Sequence, residues 1–258
     1  MLTRLHRLPI AAFLLSLPPV LAGGCGDVDT GGEAVLAELV FDPPTGGDIA
    51  ADGGWTVTLS TAQVLVGPVF LLDASPLASV WSLFSSPALA HVPASGGQTV
   101  GEWIGQVSVD LLSGDEVVLG ALAGQTGRAL SAEVQLLAPG TIGEAALQGA
   151  SDASIVLEGT ATRGAESVPF RFTAAPEGAS VFSVQNIATD FAMQTGLVIS
   201  VSFDLAALFS NVDFGELVAD GSGATDPVEL TELTAAGASL RAGMGSRFVW
   251  QVSVEAGP

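Results

Sequence analysis

The stretch that decides the fold runs from Ser154-Ile-Val-Leu-Glu-Gly-Thr-Ala-Thr162 to Ser167-Val-Pro-Phe-Arg-Phe-Thr173. Both segments are rich in residues typical of β-strands, and the connection between them, Arg163-Gly-Ala-Glu166, contains a glycine. Two such segments joined by so short a turn predict an antiparallel hairpin. Because Pro169 has no backbone N–H, we expect the second strand to lie at an edge or at a non-bonded position.

Similar short segments occur on both sides of this hairpin. Leu197-Val-Ile-Ser-Val-Ser-Phe-Asp204 is the clearest single strand, and Arg247-Phe-Val-Trp-Gln-Val-Ser-Val254 predicts a C-terminal strand with Phe248 and Trp250 among its large apolar residues. Gly67-Pro68 interrupts an apolar run and predicts a bend or a bulge. Further strands are expected at 35–41, 55–60, 106–110 and 131–137.

Helical signals are few. One helical turn is expected at 205–209, a second short helix at 229–236, and a helical turn or buried loop at 77–90. The pattern therefore predicts an all-β fold, an antiparallel β-sandwich of the immunoglobulin-like or jelly-roll-like kind with one or two short helices. We expect one domain over 34–258, with a division near 176–178 into two smaller β units as the alternative.

The first residues have the pattern of an export signal. Arg4 and Arg7 precede an apolar run at 8–21 that is too short to span a bilayer as a helix, and small residues follow it. This order predicts a signal peptide over residues 1–24.

Leu21-Ala22-Gly23-Gly24-Cys25 resembles the lipobox of bacterial lipoproteins, although Ala22 stands where the family has a large aliphatic residue. The resemblance implies cleavage before Cys25, several acyl chains on that residue and firm attachment to a membrane. In that family an Asp after the cysteine favours the inner membrane, so Gly26 implies an outer-membrane lipoprotein that faces the periplasm or the cell exterior. Residues 25–33 then form the lipidated cysteine and a flexible tether.

Composition excludes several functions. Beyond residue 24 the chain has five arginines, no lysine and all 27 of its acidic residues. Nucleic-acid binding needs clustered basic residues, so we expect none, and the lipid rather than charge must hold the membrane. Without lysine, Schiff-base chemistry and a normal P-loop are excluded. A single cysteine cannot form an internal disulfide.

Catalytic patterns are weak. His91 is the only histidine after the signal, and Gly221-Ser-Gly223 lacks the first glycine of a nucleophile elbow. Carboxylate pairs, such as Asp204 with Asp213, are inevitable among so many acids and more often lie on a solvated surface. We therefore expect no enzymatic activity.

One further resemblance concerns a group of exported bacterial β proteins in which copper or iron handling is suspected. The residues that carry it are the segment 55–72, Ala90-His91-Val92-Pro93, Gly101-Glu102-Trp103, Phe203-Asp204 and Val212-Asp213-Phe214. Those proteins carry several histidines in the corresponding loop, whereas this chain has only His91. The resemblance implies a metal site at His91 and no other cofactor.

The sequence thus predicts a cell-envelope lipoprotein with a non-enzymatic binding or structural role and an envelope protein as partner. A periplasmic metal-handling protein that uses His91 is the alternative, and an unrecognised hydrolase is a further one. A binding role predicts an exposed apolar patch, for which Trp81, Phe84 and Trp103 are the candidates.

Overall fold

The computed structural model of this protein describes residues 32–44, 46–74, 97–176, 182–219 and 226–255. The strands found there are β1 Ala34–Asp42, β2 Ile49–Ala50, β3 Thr56–Val66, β4 Val69–Leu72, β5 Thr99–Trp103, β6 Val107–Asp110, β7 Val117–Gln125, β8 Gly127–Leu136, β9 Ile155–Arg163, β10 Glu166–Ala174, β11 Phe182–Met193, β12 Val198–Phe203, β13 Val228–Leu230 and β14 Trp250–Glu255. The α-helices are α1 Leu205–Phe209, α2 Gly215–Ala219 and α3 Ala235–Met244. None of these helices has the length and apolar character that a membrane crossing needs.

The strands form two sheets, and the predicted all-β sandwich is confirmed. The eight-stranded sheet has the order β11-β8-β4-β5-β7-β1-β12-β14, and the six-stranded sheet is β13-β10-β9-β3-β2 with β6 beside β3. Most neighbours are antiparallel, and the exceptions among the described pairs are β1 with β12 and β10 with β13. Three short α-helices are present in the described residues, rather than one or two.

The antiparallel hairpin predicted from residues 154–173 is formed by β9 and β10. Its register pairs Arg163 with Glu166 and Ala174 with Ile155. The connection is therefore two residues long rather than four, and Gly164 has a positive φ of 60°, as the first position of a tight hairpin turn favours. β10 lies between β9 and β13, so the expectation of an edge strand is wrong. Pro169 lies just before the residues of β10 that pair with β13, which agrees with the alternative of a non-bonded position.

Gly67 and Pro68 form the corner where the chain leaves the six-stranded sheet for the eight-stranded one. The Gly67 N–H donates to the Gln135 carbonyl oxygen at 2.8 Å, and the Pro68 carbonyl oxygen accepts from the Gln135 N–H at 2.9 Å. A Cβ on Gly67 would lie 2.7 Å from the Gln135 oxygen, so only glycine permits this approach. The predicted interruption is thus a sharp corner between layers.

The core lies between the two sheets because each strand alternates apolar and polar residues. β12 shows the simplest case, with Ile199, Val201 and Phe203 buried and the residues between them partly exposed. Aromatic side chains from both layers and from the segment after α1 meet edge to face or tilted, including Trp55 with Phe214 at 5.9 Å between ring centroids. Burial of these rings is a large part of the apolar area removed from water.

The outermost strands of the eight-stranded sheet, β11 and β14, also contact each other, so this sheet curls around the core. β11 carries two irregularities, between Val184 and Ile187 and between Ala188 and Phe191. Each inserts one residue relative to β8, and Asn186 in the first has φ 60°. Bulges of this kind bend a strand and increase its twist, which brings the two edges together and protects them from pairing with other chains.

Some sequence predictions were wrong in detail. The helix expected at 229–236 is absent, because Val228–Leu230 pairs with β10 as β13 and the helix begins at Ala235. The C-terminal strand begins at Trp250 rather than Arg247. The strands β2, β5, β7 and β11 and the helix α2 were not predicted. The helical turn or loop at 77–90, the predicted signal peptide and all but the end of the predicted tether lie outside the described residues.

Candidate functional site

The strongest candidate for a binding site is formed by α1 and α3, at the end of β12. Asp204 follows β12 and accepts a hydrogen bond from the Ala207 N–H at 2.9 Å, which caps α1. Thr234 accepts in the same way from the Gly237 N–H at 3.1 Å and starts α3. Both helices bury their apolar faces against the sandwich, so their positions are fixed by the core.

A groove of about 400 Å³ that is open to solvent runs between the two helices. Its lining consists of Ala207, Leu208, Ser210, Asn211, Ser239, Ala242, Gly243, Ser246, Phe248 and Val249. Gly243 sets its width, since a Cβ there would lie 2.8 Å from Leu208 Cδ1. Apolar atoms, hydroxyl groups and one amide line the groove, and none of the residues is charged.

A tight turn between α3 and β14 holds Phe248 at the edge of this groove. The Ser246 carbonyl oxygen accepts from the Val249 N–H at 3.1 Å, and the Ser246 hydroxyl accepts from the Phe248 N–H at 3.3 Å. Val249 is buried, and Trp250 Nε1 donates to the Met244 carbonyl oxygen at 3.1 Å. The backbone is therefore anchored on both sides, while the Phe248 side chain is 74% exposed.

Arg247 lies beside this exposed ring, with its guanidinium carbon 5.1 Å from the ring centroid. Among the five arginines of the described residues, it alone has no carboxylate within ion-pair distance, since no ion pair involves it. The other four pair as Arg128 with Asp190, Arg163 with Glu166, Arg171 with Glu158 and Arg241 with Glu232. Within the described residues, Arg247 thus has no acidic partner.

The groove lies at the opposite end of the sandwich from the first described residues. β12 runs parallel to β1, from Val198 beside Glu38 to Ser202 beside Asp42. α1 follows β12 directly, so it leaves the sheet at the end of β1 that is farthest from Ala34. The length of β1, nine residues, corresponds to about 30 Å of strand.

Most residues singled out in the sequence do not join this groove. Cys25, His91, Trp81, Phe84 and the segment 221–223 lie outside the described residues. Trp103 does not form an exposed patch, because it is only 7% exposed and belongs to the core. A Cβ on Gly105 or Gly120 would collide with its ring, so neighbouring glycines make room for the indole.

The carboxylates considered for chemistry have structural partners. Asp204 caps α1, and Asp213 Oδ1 accepts from Trp55 Nε1 at 3.0 Å and from the Gly215 N–H at 2.8 Å. In the part of the chain that the structure describes, no group of three or more His, Cys, Asp and Glu side chains is placed to hold a metal ion.

Sequence reasoning also missed a buried carboxylate. Glu133 on β8 is fully buried, and its Oε1 accepts from Gln135 Nε2 at 2.7 Å and from the Ser183 hydroxyl at 2.8 Å. It pairs across the sheet with Phe70 on β4, which is also buried. The alternation of β8 turns Glu133 away from the core between the sheets, so the strand pattern alone predicts an exposed side chain.

Sequence reasoning missed Arg247 and Phe248 as a site because both were assigned to a strand. The glycines of Gly243-Met-Gly245 just before them were the available signal for a turn.

Comparison of the chain with protein-family models, curated proteins and solved structures found no match. The function is therefore argued from the chain's own residues.

Proposed function

We propose that this protein is a cell-envelope lipoprotein, attached to the outer membrane through a lipid on Cys25, with a non-enzymatic binding or structural role. The observation that carries the proposal is the order of basic residues, short apolar run and Leu21-Ala22-Gly23-Gly24-Cys25. Two or more acyl chains on one residue attach a protein stably to a bilayer.

The position of the groove supports the binding role. Cys25 precedes Gly32 by seven residues, which span at most about 25 Å when fully extended. The end of the sandwich near Ala34 is then held close to the membrane, while the groove, at the other end, is presented to an approaching partner. The edge of the groove carries an exposed aromatic ring and an arginine without an acidic partner in the described residues. It therefore differs from the acidic surface expected of a chain with a net charge of −20.

Lipidation is tested by expressing the full chain with labelled palmitate and separating membranes from soluble material. We expect label and protein together in the membrane fraction, and loss of both from it in Cys25→Ser. Asp27→Asn, which changes a neighbouring side chain but keeps the cysteine, is the matched control. An unlabelled wild-type protein in the soluble fraction would contradict the proposal.

The metal-handling hypothesis remains a prediction, since no observation on the described residues favours it. Copper titration of the full chain against His91→Ala tests it directly. Stoichiometric binding that is lost in the variant would support the hypothesis.

A further inference from the structure

The α1–α3 groove combines two properties that point to one kind of occupant. Its lining is uncharged although the chain has a formal net charge of −20. The nearest charge on the adjoining turn is Arg247, which has no carboxylate partner within the described residues. A groove in an acidic protein that excludes acids and keeps one arginine free is complementary to a negatively charged partner.

The apolar part of the occupant follows from Phe248 and the groove floor. The turn at Ser246–Val249 fixes the backbone of Phe248, and Phe248 lines the groove together with Leu208, Ala242 and Gly243. Aromatic residues, phenylalanine among them, and arginine are enriched at protein–protein interfaces. An apolar side chain that enters the groove would cover this ring and remove it from water.

The shape favours a polypeptide segment over a small molecule. Small-molecule sites enclose most of the ligand surface, whereas this groove is partly open to solvent. The hydroxyl groups of Ser210, Ser239 and Ser246 and the amide of Asn211 border it, and such groups can pair with the backbone of a bound segment.

We propose that the α1–α3 groove binds a peptide segment of a protein partner in which an apolar side chain and a carboxylate lie within one or two residues of each other. The apolar side chain packs on Phe248 in the groove, and the carboxylate pairs with Arg247. The inference rests on the binding role proposed above, but it does not depend on the lipid.

The test uses the full chain in detergent and two fluorescein-labelled peptides, Gly-Ser-Leu-Phe-Asp-Gly-Ser and its counterpart with Asn in place of Asp. Fluorescence anisotropy measures both affinities. We expect the Asp peptide to bind about fivefold more tightly, as befits one solvent-exposed ion pair. Arg247→Gln should abolish this preference, and Phe248→Ala should weaken both peptides about tenfold or more.

Arg128→Gln is the matched control, because Arg128 is exposed but pairs with Asp190 away from the groove. It should leave both affinities unchanged. Equal binding of the two peptides, or an Asp preference that survives Arg247→Gln, would overturn the proposal, as would absence of binding up to about 1 mM peptide. Tight binding of apolar acids such as hexanoate with no peptide binding would show a small-molecule site instead.

The same measurement on Cys25→Ser separates this inference from the proposed attachment. Normal peptide binding by a variant that no longer reaches the membrane keeps both proposals. Loss of peptide binding in correctly anchored wild-type protein would refute only the groove proposal.

Discussion

Three arginines of the described residues lie over aromatic rings, and two of these pairs, Arg163 with Trp55 and Arg247 with Phe248, differ in their surroundings. The Arg163 guanidinium carbon is 4.4 Å from the centroid of Trp55, whose ring is almost fully buried. Arg163 also binds Glu166 at 2.8 Å and the Gly53 carbonyl oxygen at 3.2 Å. Arg247 is 5.1 Å from Phe248, which is mostly exposed, and it has no acidic partner in the described residues.

The difference separates contacts that hold the fold from contacts that stay open. Around Trp55 the indole N–H donates to Asp213, and Arg163 above the ring binds a carboxylate and a carbonyl oxygen. Around Phe248 the backbone is equally well fixed, but the ring and the charge are left to the solvent. An arginine beside an aromatic ring therefore indicates a binding surface only when the arginine has no acidic partner within the protein.

The largest expected effect on stability comes from removing the Trp55 ring, and removing the Phe248 ring is the comparison. Trp55→Ala should lower the free energy of unfolding by about 3–5 kcal/mol, because it leaves a cavity in the core. Phe248→Ala should change it by less than about 0.5 kcal/mol, since the ring is exposed. Urea denaturation followed by circular dichroism measures both. A large loss in Phe248→Ala would mean that this ring is structural and would remove the contrast.

The next largest effect on stability concerns Asp213, whose carboxylate accepts the hydrogen bond from the Trp55 indole. Asp213→Ala leaves the indole N–H without its acceptor, which should cost about 1–3 kcal/mol of stability. Asp213→Asn keeps an oxygen in the same place, so its cost should be smaller. The two variants are compared by the same denaturation experiment. Equal losses would show that charge, not hydrogen bonding, is the contribution of Asp213.

Replacing Arg163 or Arg247 should change the free energy of unfolding by less. Arg163→Gln removes a cation from above a buried ring and a partly exposed ion pair, and we expect a loss of about 1 kcal/mol. Arg247→Gln should leave stability unchanged while it alters peptide binding. Parallel denaturation of the two variants measures this, and a destabilised Arg247→Gln would argue against a free, partner-directed arginine.

The smallest effect belongs to the exposed ion pair of Arg128 and Asp190. The hydrogen bond from Arg128 holds the pKa of Asp190 below its ordinary value. A carboxyl with a lowered folded-state pKa adds stability above its unfolded pKa, and this is lost as pH falls through the folded pKa. NMR titration of the Asp190 carboxyl should show its pKa rise in Arg128→Gln. An unchanged pKa would mean that the pair does not persist in solution.

Local sequence signals predicted the fold well where strands pair with their neighbours. The β9–β10 hairpin and β12 were predictable because alternation and turn residues act within a few positions. β11 was missed because its two bulges break the alternation, with Asn186 in a left-handed conformation. The helix α3 was misplaced because its small residues read as a loop, and its start depends on the Thr234 cap.

The candidate site was harder to predict than the fold. Phe248 continues the alternation of Trp250 and Val252, so the sequence assigns it to the buried face of a strand. Because of the turn at Ser246–Val249, the strand begins only at Trp250, and Phe248 is not part of it. Whether an acidic side chain lies near Arg247 depends on residues that are distant in the sequence. No local pattern of residues predicts it.

The pairing of β1 with β12 also bears on how the molecule assembles in time. Glu38 lies beside Val198, 160 positions later in the chain, and the other neighbour of β1 is β7. Contacts of such separation form late and slowly, because a long loop must close before they gain anything. A chain that emerges N-terminus first therefore cannot complete the pairing of its first strand until β12, which ends at Phe203 of the 258 residues, has been made. We expect the eight-stranded sheet to stay incomplete until β12 has appeared.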